Sequence, residues 1–252
     1  MVIIYSPLKT LFQIGNIGIL SYRFMNAVGF FMAIIAALIL AKKQKLDYYM
    51  LLNSAVLIIL GGTIGGRIFY LIFVEKTYAL TEFPKVWEPG SSMQGGAMLA
   101  FLLVYFYLKY KKANILDYFD VIGISFILFN AIKRIGCFLN WCCYGIESSL
   151  PWAIKVGNDV SRHPTQIYTS IINLIIFVIL FKMYKKSKKP SGYYFGITFI
   201  IYGIFRFFIE FIRINPRIFY LTLPQIGSLT AVILGAVVMK IVNKNSFVKV
   251  EK

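Results

Sequence analysis

Five charged side chains lie within or at the ends of long apolar stretches, where charge is costly unless it faces protein or a water-filled cavity. They are Arg67, Arg134, Arg206, Glu210 and Arg213. Arg206 and Glu210 are spaced to share one helix face, and an internal salt bridge that only fastens helices is one interpretation. However, one glutamate cannot neutralise four arginines. The sequence therefore favours a missing anion, and the planar guanidinium suits phosphate oxygens.

One histidine and three cysteines are the other candidate reactive groups. His163 lies just before an apolar stretch, where a structural hydrogen bond and a proton-transfer role both suit it. Cys137, Cys142 and Cys143 are an odd number and predict no closed disulfide framework. They are interpreted either as small packing residues or as nucleophiles or an alkyl relay. The adjacent Cys142 and Cys143 fit zinc-ligand spacing poorly, so we predict no metal site and no cofactor.

Glycines accompany these charges. Four of them precede Arg67: Gly61, Gly62, Gly65 and Gly66. Close packing of helices through small residues is the simplest explanation for those four. Gly95 and Gly96 open another apolar stretch, where free backbone N–H groups could help to bind an anion.

The elements that position these residues are predicted to be membrane helices. Of the 252 residues, 59% are apolar or aromatic and 15% are charged, whereas soluble domains have about 45–50% and about 25%. We expect an all-α polytopic membrane protein of about seven transmembrane helices, forming one integral membrane domain over residues 1–252. The predicted spans are 17–40, 50–73, 94–108, 119–132 with an alternative end at 139, 166–183, 192–211 and 221–241.

The net charge of +17 is spread over short lysine clusters between the apolar stretches. A nucleic-acid-binding face would gather these lysines on one surface, so we predict no nucleic-acid partner. The clusters lie in the loops after odd-numbered helices and in the C-terminal tail, whereas residues 75–92, 141–162 and 214–220 are mixed in charge. The positive-inside rule then places the N-terminus outside and the C-terminus in the cytoplasm. That arrangement requires an odd number of spans.

Several segments match one known family, in order from the first helix to the last. They are Gly65-Gly66-Arg67-Ile68-Phe69-Tyr70, Gly95-Gly96, Arg134-Ile135-Gly136, Phe138-Leu139-Asn140 with Gly145, Arg162-His163-Pro164-Thr165-Gln166-Ile167-Tyr168, and Tyr202-Gly203 with Arg206, Glu210 and Arg213, while Tyr22 and Gln225 also fit. Through these segments the chain resembles the prolipoprotein diacylglyceryl transferase family. The resemblance implies a multi-pass enzyme of the bacterial inner membrane. It would transfer diacylglyceryl from phosphatidylglycerol to the lipobox cysteine of a prolipoprotein signal peptide.

The chain departs from the family pattern at several positions. Gln94 stands where the family usually has histidine. In the signature after Arg134, Cys137 replaces an asparagine, Trp141 a glycine and Cys142 a glutamate. Thr169 stands where a glutamate is usual.

The family reaction alkylates a thiol at the glyceryl carbon, with phosphoglycerol as the leaving group. The resemblance implies that Arg134 and Arg206 stabilise the leaving phosphate, with Glu210 orienting Arg206. Residues expected to bind the substrates are Tyr22, Arg67, Gln94, Gly95, Gly96, Gly136, Asn140, Arg162, Tyr202 and Arg213. Because Gln94 is no base, the thiol is activated by His163, by Glu210 or by the positive field alone, and we favour the field.

Two other functions fit the sequence. One is a related enzyme that uses a different lipid donor or acceptor. The other is a non-enzymatic membrane protein, such as a small transporter or a scaffold. Transporters commonly contain internal repeats, and this chain has no repeat at a fixed period, which disfavours transport.

Overall fold

The computed structural model describes residues 3–15, 17–75, 90, 92–187, 189–215, 217–218 and 220–250. The helices in these ranges are α1 Ser21–Gln44, α2 Tyr48–Tyr70, α3 Met93–Tyr110, α4 Ile115–Leu139, α5 Thr165–Lys186, α6 Tyr193–Ile209 and α7 Leu223–Val250. Short strands lie between them: β1 Ile3–Tyr5, β2 Thr10–Ile14, β3 Ile17–Leu20, β4 Ile154–Val156, β5 Arg217–Ile218 and β6 Leu221–Thr222. The predicted outer loop 75–92 falls almost entirely outside the described residues.

Six of the helices in the described ranges are long and apolar enough to cross a membrane, and α3 is not among them. The prediction of a mostly helical, multi-pass membrane protein is therefore confirmed. Of the two predicted ends of the fourth span, residue 132 is wrong and the alternative at residue 139 is confirmed, because α4 continues to Leu139. The structure is also not purely α-helical, since it contains short strands near the helix ends.

Two predicted helix starts are wrong because apolar strands precede the helices. Residues Ile17–Leu20 pair antiparallel with β2, so α1 begins only at Ser21. An apolar run alone does not distinguish a strand from a helix. Leu221 likewise belongs to β6, and α7 starts with a capping box in which Thr222 and Gln225 each bind the other's backbone N–H.

The chain divides into two compact units, residues 44–118 and residues 1–43 with 119–252. In the unit formed by residues 44–118, α2 and α3 pack closely against each other. A Cβ atom on Gly61 would lie 2.6 Å from Ala100 Cα, and one on Gly65 would lie 2.6 Å from the Gly95 carbonyl oxygen. The backbone N–H of Ser92 also donates to the Gly66 carbonyl oxygen. The predicted packing role of these small residues agrees with this geometry.

In the larger unit, polar side chains join the helix ends at the side where the lysine clusters lie. Lys43 Nζ, at the end of α1, donates to the carbonyl oxygens of Tyr184 and Lys185 at the end of α5. Asp120, near the start of α4, is fully buried and accepts the N–H groups of Gly192 and Phe195 at the start of α6. The C-terminal ends of α1 and α5 therefore lie at the same end of this unit as the N-terminal ends of α4 and α6.

Candidate functional site

Glu210 is the buried acidic centre of an arginine cluster at the opposite end of the larger unit. It follows α6 in a short 3₁₀ turn, and its side chain has no exposed surface. Arg206 Nη1 lies 2.6 Å from Glu210 Oε2, and Arg213 Nη1 lies 3.6 Å from the same oxygen. Asn215 Nδ2 donates to the other oxygen, Oε1. The predicted pairing of Arg206 with Glu210 is therefore present, and the carboxylate also holds Arg213.

Arg134 brings a third guanidinium to this cluster from α4. Its charge and that of Arg206 both act on Arg213, and the Tyr202 hydroxyl is among the electrostatic neighbours of Arg134. Only 8% of the Arg134 surface is exposed. Among the residues described, Glu210 is the one carboxylate that pairs with these arginines, which leaves a formal surplus of two positive charges. A buried surplus of this kind favours an anionic ligand.

A small cleft between α4 and α5 leads to Arg134. Its cavity volume is about 100 Å³, and Arg134 and Gln166 line it together with Ile135, Phe138, Ile167, Ser170 and Ile171. Its exposed surface is almost wholly apolar, and Ile135 and Ile171 continue onto the outer surface of the helices. The cleft therefore places a cationic group beside an apolar wall, an arrangement that suits an amphipathic molecule.

The three cysteines converge where α4 ends. Cys137 is buried, Cys142 is half-buried and Cys143 is exposed, and their Sγ atoms lie within 4.8 Å of one another. Hydrogen bonds from Cys137 and Cys142 hold the pKa of the Cys143 thiol below its ordinary value, and the positive charges of Arg213 and Arg134 lower this pKa further. The hydrogen bonds with Cys137 and Cys143 raise the pKa of the Cys142 thiol.

The loop that carries His163 packs against the segment that follows α6. Gly145 N–H donates to the His163 carbonyl oxygen, and Ile146 N–H donates to the Ile212 carbonyl oxygen. A Cβ atom on Gly145 would lie 2.5 Å from that Ile212 oxygen, so a larger residue would push the two chain segments apart. This contact fixes the backbone from which Arg213 extends.

His163 and Arg162 have local partners in this loop. His163 Nδ1 lies 3.3 Å from the Tyr168 hydroxyl. The Arg162 guanidinium makes two hydrogen bonds to Asp159, of 3.0 and 3.1 Å, and lies over the Tyr144 ring. The Asp159 carboxylate raises the pKa of Arg162, and the Arg162 guanidinium lowers that of Asp159. These contacts favour the structural interpretation of His163 and help to hold the loop at Arg162, whose part in substrate binding stays a prediction.

Tyr22, Gly136 and Asn140 lie where α1 approaches the end of α4. A Cβ atom on Gly136 would lie 2.8 Å from Met25 Cβ and 3.3 Å from Tyr22 Cα, so glycine permits the close approach of α1. The Tyr22 hydroxyl is an electrostatic neighbour of all three cysteines. Asn140 N–H donates to the Gly136 carbonyl oxygen, 3.1 Å away, in the last turn of the helix.

The remaining predicted residues, Arg67, Gln94, Gly95 and Gly96, belong to the unit of residues 44–118. Arg67 is buried, and its Nη1 donates to the Gly90 carbonyl oxygen over 3.5 Å. Gln94 Oε1 accepts the Ser92 hydroxyl. Gly96 N–H donates to the Ser92 carbonyl oxygen, so this N–H is not free, and the part of Gly96 in substrate binding stays a prediction. Gly95 packs against Phe69, and its part in anion binding stays a prediction.

Sequence reasoning missed three residues that hold the site together. Asn215 fixes the free oxygen of Glu210. Thr165 Oγ1 donates to the Cys143 carbonyl oxygen, and Gln166 Nε2 donates to the Cys142 carbonyl oxygen. Asn215 lies in an irregular segment with no periodic signal. Gln166 and Thr165 stood in a matched segment but showed no chemistry of their own.

This chain is similar to known proteins over most of its length. The family model described as prolipoprotein diacylglyceryl transferase matches residues 9–241. A Clostridium tetani protein named phosphatidylglycerol–prolipoprotein diacylglyceryl transferase is 32% identical over 240 residues, covering 92% of this chain and 96% of its own. Proteins of the same name from Finegoldia magna and Clostridioides difficile are 31% and 32% identical, covering 96% and 91% of this chain and 98% and 93% of their own.

Proposed function

This chain belongs to the prolipoprotein diacylglyceryl transferase family, and we propose that it transfers the diacylglyceryl group of phosphatidylglycerol to the lipobox cysteine of prolipoprotein signal peptides in the bacterial inner membrane. It is a multi-pass membrane transferase of lipoprotein maturation. The family match extends over both compact units, which supports one integral membrane domain as the working enzyme. Because the family is one of transferases, we do not propose a transporter or scaffold function.

The observation that carries the site assignment is the cluster of Arg134, Arg206 and Arg213 around Glu210. The three guanidiniums are mostly buried and carry more positive charge than the one carboxylate balances. The phosphodiester of phosphatidylglycerol supplies the missing negative charge. The apolar cleft beside Arg134 suits the glyceryl carbons next to that phosphate, and Ile135 and Ile171 lead from it to the outer surface of the helices.

In the proposed reaction the acceptor thiolate attacks the glyceryl carbon that bears the phosphate. The C–S bond forms as the C–O bond to phosphate breaks, and the electron pair leaves on glycerol phosphate. Charge on the departing oxygen grows during this step, so Arg134 and Arg206 stabilise the transition state more than the bound lipid. Glu210 positions Arg206 and Arg213 through its ion pairs. Tyr22, Asn140 and Tyr202 orient the headgroup, and Arg67, Gln94, Gly95 and Gly136 complete the proposed substrate contacts.

The proposed topology has seven spans, with the N-terminus outside and the C-terminus in the cytoplasm. The chain leaves α1 and enters α4 at the same end of this unit, the end with Lys43 and Asp120. Between these points α2 and α3 either both cross the membrane or both fail to cross, and we propose that both cross because α2 is long and apolar enough. The positive-inside rule assigns the Lys43 end to the cytoplasm, so the arginine cluster faces outward.

The test is transfer of labelled diacylglyceryl from phosphatidylglycerol vesicles to a lipobox peptide by purified protein. Arg134→Ala is expected to lower kcat/KM by about 100-fold or more, the size of effect seen when one donor to a developing anion is removed. Arg134→Lys keeps the charge and loses the planar fork, so we expect partial activity. Lys111→Ala, on an exposed loop, is the control. Transfer by wild type that survives in Arg134→Ala would refute the assignment of Arg134.

A further inference from the structure

The three cysteines form a compact, accessible thiol cluster that the proposed reaction leaves without a role. Their Sγ atoms all lie within 4.8 Å of one another, and none of these cysteines is in a disulfide. Zn–S bonds of about 2.3 Å place the sulfurs of a tetrahedral site about 3.8 Å apart. The observed Sγ separations of at most 4.8 Å exceed this spacing by about 1 Å or less.

The end of α4 explains why cysteines at this spacing meet. Cys142 N–H donates to the Cys137 carbonyl oxygen, and Trp141 N–H donates to the Phe138 carbonyl oxygen. These two bonds, with a positive φ at Trp141, make a Schellman motif. In that motif the side chains at the positions of Cys137 and Cys142 contact each other. The positive φ of Cys143 then turns the chain so that the adjacent thiol joins them.

Two side chains of α5 hold the turn that carries Cys142 and Cys143. Gln166 donates to the Cys142 carbonyl oxygen over 2.8 Å, and Thr165 donates to the Cys143 carbonyl oxygen over 2.9 Å. Both donors lie in the first turn of α5 and are buried. A turn fixed at both carbonyls is a prearranged ligand set, which metal affinity requires.

From this geometry we propose that Cys137, Cys142 and Cys143 bind one zinc ion as thiolates, and that the open fourth position binds the thiol of the acceptor cysteine. Zinc is the matching ion because it favours tetrahedral sulfur coordination, and sites with three protein ligands keep a position for substrate. The adjacent positions of Cys142 and Cys143 were the ground for predicting no metal site from the sequence. The two positive φ angles remove that objection, because they allow neighbouring thiols to face the same point.

The charges around the cluster suit this assignment. Three thiolates with Zn²⁺ carry one net negative charge, and Arg213 and Arg134 are electrostatic neighbours of Cys143. Arg134 Nη1 also lies 4.0 Å from Cys137 Sγ. The guanidiniums therefore stabilise the anionic complex from its outer shell. The same Arg134 is proposed to hold the donor phosphate, so the metal-bound thiol and the reacting lipid would be neighbours.

The role in catalysis rests on the proposed function. The acceptor thiol replaces a water on zinc and releases its proton to solvent, because metal coordination deprotonates a thiol. The bound sulfur attacks the glyceryl carbon, and the C–O bond breaks toward the phosphate. The product is a neutral thioether, a weak zinc ligand that leaves and is replaced by water. No electron is gained or lost, and no separate base is needed where Gln94 replaces histidine.

The first experiment measures the metal site without any enzymatic assay. Purified full-length protein is stripped of metal, loaded with Zn²⁺ or Co²⁺, desalted and analysed for metal content and visible absorption. We expect one ion per chain and the thiolate charge-transfer and tetrahedral bands of cobalt. Each of Cys137→Ser, Cys142→Ser and Cys143→Ser should weaken binding more than about 100-fold. Lack of stoichiometric metal in wild-type protein, or no loss in these variants, would overturn the site.

The second experiment measures the role of the ion. Adding lipobox peptide to the cobalt form should shift its charge-transfer band, and a peptide with serine for cysteine should not. A zinc chelator should lower wild-type transfer about tenfold or more, because a free thiol is only a few per cent thiolate at pH 7, and Zn²⁺ should restore it. The double variant Cys137→Asn with Cys142→Glu, which carries the family signature, should bind no metal and respond to no chelator.

The possible failures are distinguishable. An unchanged cobalt band with peptide, or a chelator-insensitive wild-type rate, would overturn thiol activation by zinc. If the protein transfers nothing with or without metal, the proposed function fails, while metal content and the cobalt spectrum still decide the site.

Discussion

At the scale of single residues, the Glu210 carboxylate neutralises only part of the positive charge in the site. Its carboxylate pairs with Arg206 and Arg213, and its remaining oxygen is held by Asn215. A fully neutral cluster would have no need of a ligand. Because positive charge remains in surplus here, the same residues that stabilise the fold also create an affinity for phosphate.

Glu210→Gln tests this balance. The substitution keeps the shape of the side chain but leaves two buried guanidiniums without a carboxylate, which costs about 3–5 kcal/mol when a buried pair is broken. We expect a lower thermal unfolding temperature in detergent and a larger stabilisation by added phosphatidylglycerol than wild type shows, because the lipid then supplies the only anion. Wild type in the same detergent is the reference. An equal response of the two proteins to the lipid would contradict the charge argument.

His163 tests whether a side-chain base activates the acceptor thiol. Its ring contacts the Tyr168 hydroxyl, which points to a structural role. A histidine base would make transfer fall as pH drops, because a protonated imidazole accepts no proton. We therefore expect His163→Gln to lower stability and to keep the pH dependence of kcat/KM that wild type has. Tyr168→Phe, which removes the partner, should lower stability similarly, and a flattened acidic limb in His163→Gln alone would instead identify a base.

Some of these residues could be read from the sequence and others could not. The i, i+4 spacing predicts the pairing of Arg206 with Glu210, because helix geometry is local. The approach of Arg134 on α4 to Arg213 beyond α6 depends on tertiary packing, and only the family resemblance anticipated it. Nothing in the sequence pattern indicated that Asn215 would contact Glu210. The convergence of three thiols depends on the positive φ angles of Trp141 and Cys143. These residue types rarely adopt a positive φ, so the sequence does not predict it.

At the scale of elements, long apolar runs located the helices well, and their ends less well. The strands at Ile17–Leu20 and Leu221–Thr222 extend apolar runs that belong to helices, so both starts were misplaced. Polar caps mark the true ends, as Asp47 does for α2 by accepting the N–H groups of Tyr49 and Met50. Helix contacts then depend on small residues, which the sequence identified correctly beside Arg67.

The α2–α3 contact makes the next prediction. A methyl group on Gly61 would meet the Ala100 backbone at 2.6 Å, whereas one on Gly62 meets nothing within 4 Å. Gly61→Ala should therefore destabilise the protein by about 1–3 kcal/mol through overpacking. Gly62→Ala is the matched control and should be neutral or stabilising by up to about 1 kcal/mol, because alanine favours helix. Thermal unfolding in detergent measures both, and equal effects would show that this crossing does not need glycine at residue 61.

At the scale of the whole molecule, Lys43 and the lysines at the end of α5 lie at one end of the larger unit, and the arginine cluster lies at the other end. Lys43 caps the C-terminal end of α5 by donating to two of its carbonyl oxygens. Arg134, Arg206 and Arg213 lie at the other ends of α4 and α6. The lysines orient the chain in the membrane. In the proposed topology the arginines then face outward, on the side proposed to receive the acceptor.

The proposed number of spans rests on this arrangement and is the subject of the last prediction. Alkaline phosphatase folds into an active enzyme only outside the cytoplasm, so its insertion into a loop reports the side of that loop. We expect activity for an insertion after Asp159, in the loop before α5, and none after Lys112, in the loop after α3. If α2 crossed and α3 did not, the loop at Lys112 would lie outside and its insertion would be active. The α1–α5 and α4–α6 contacts argue against this outcome, because they put the start of α4 at the same side as the end of α1. They would allow α3 to stay uncrossed only if α2 also turned back within the membrane. Such a re-entrant path leaves backbone polar groups that only protein or a water-filled cavity can satisfy, and for this reason the paired crossing of α2 and α3 is the arrangement we expect.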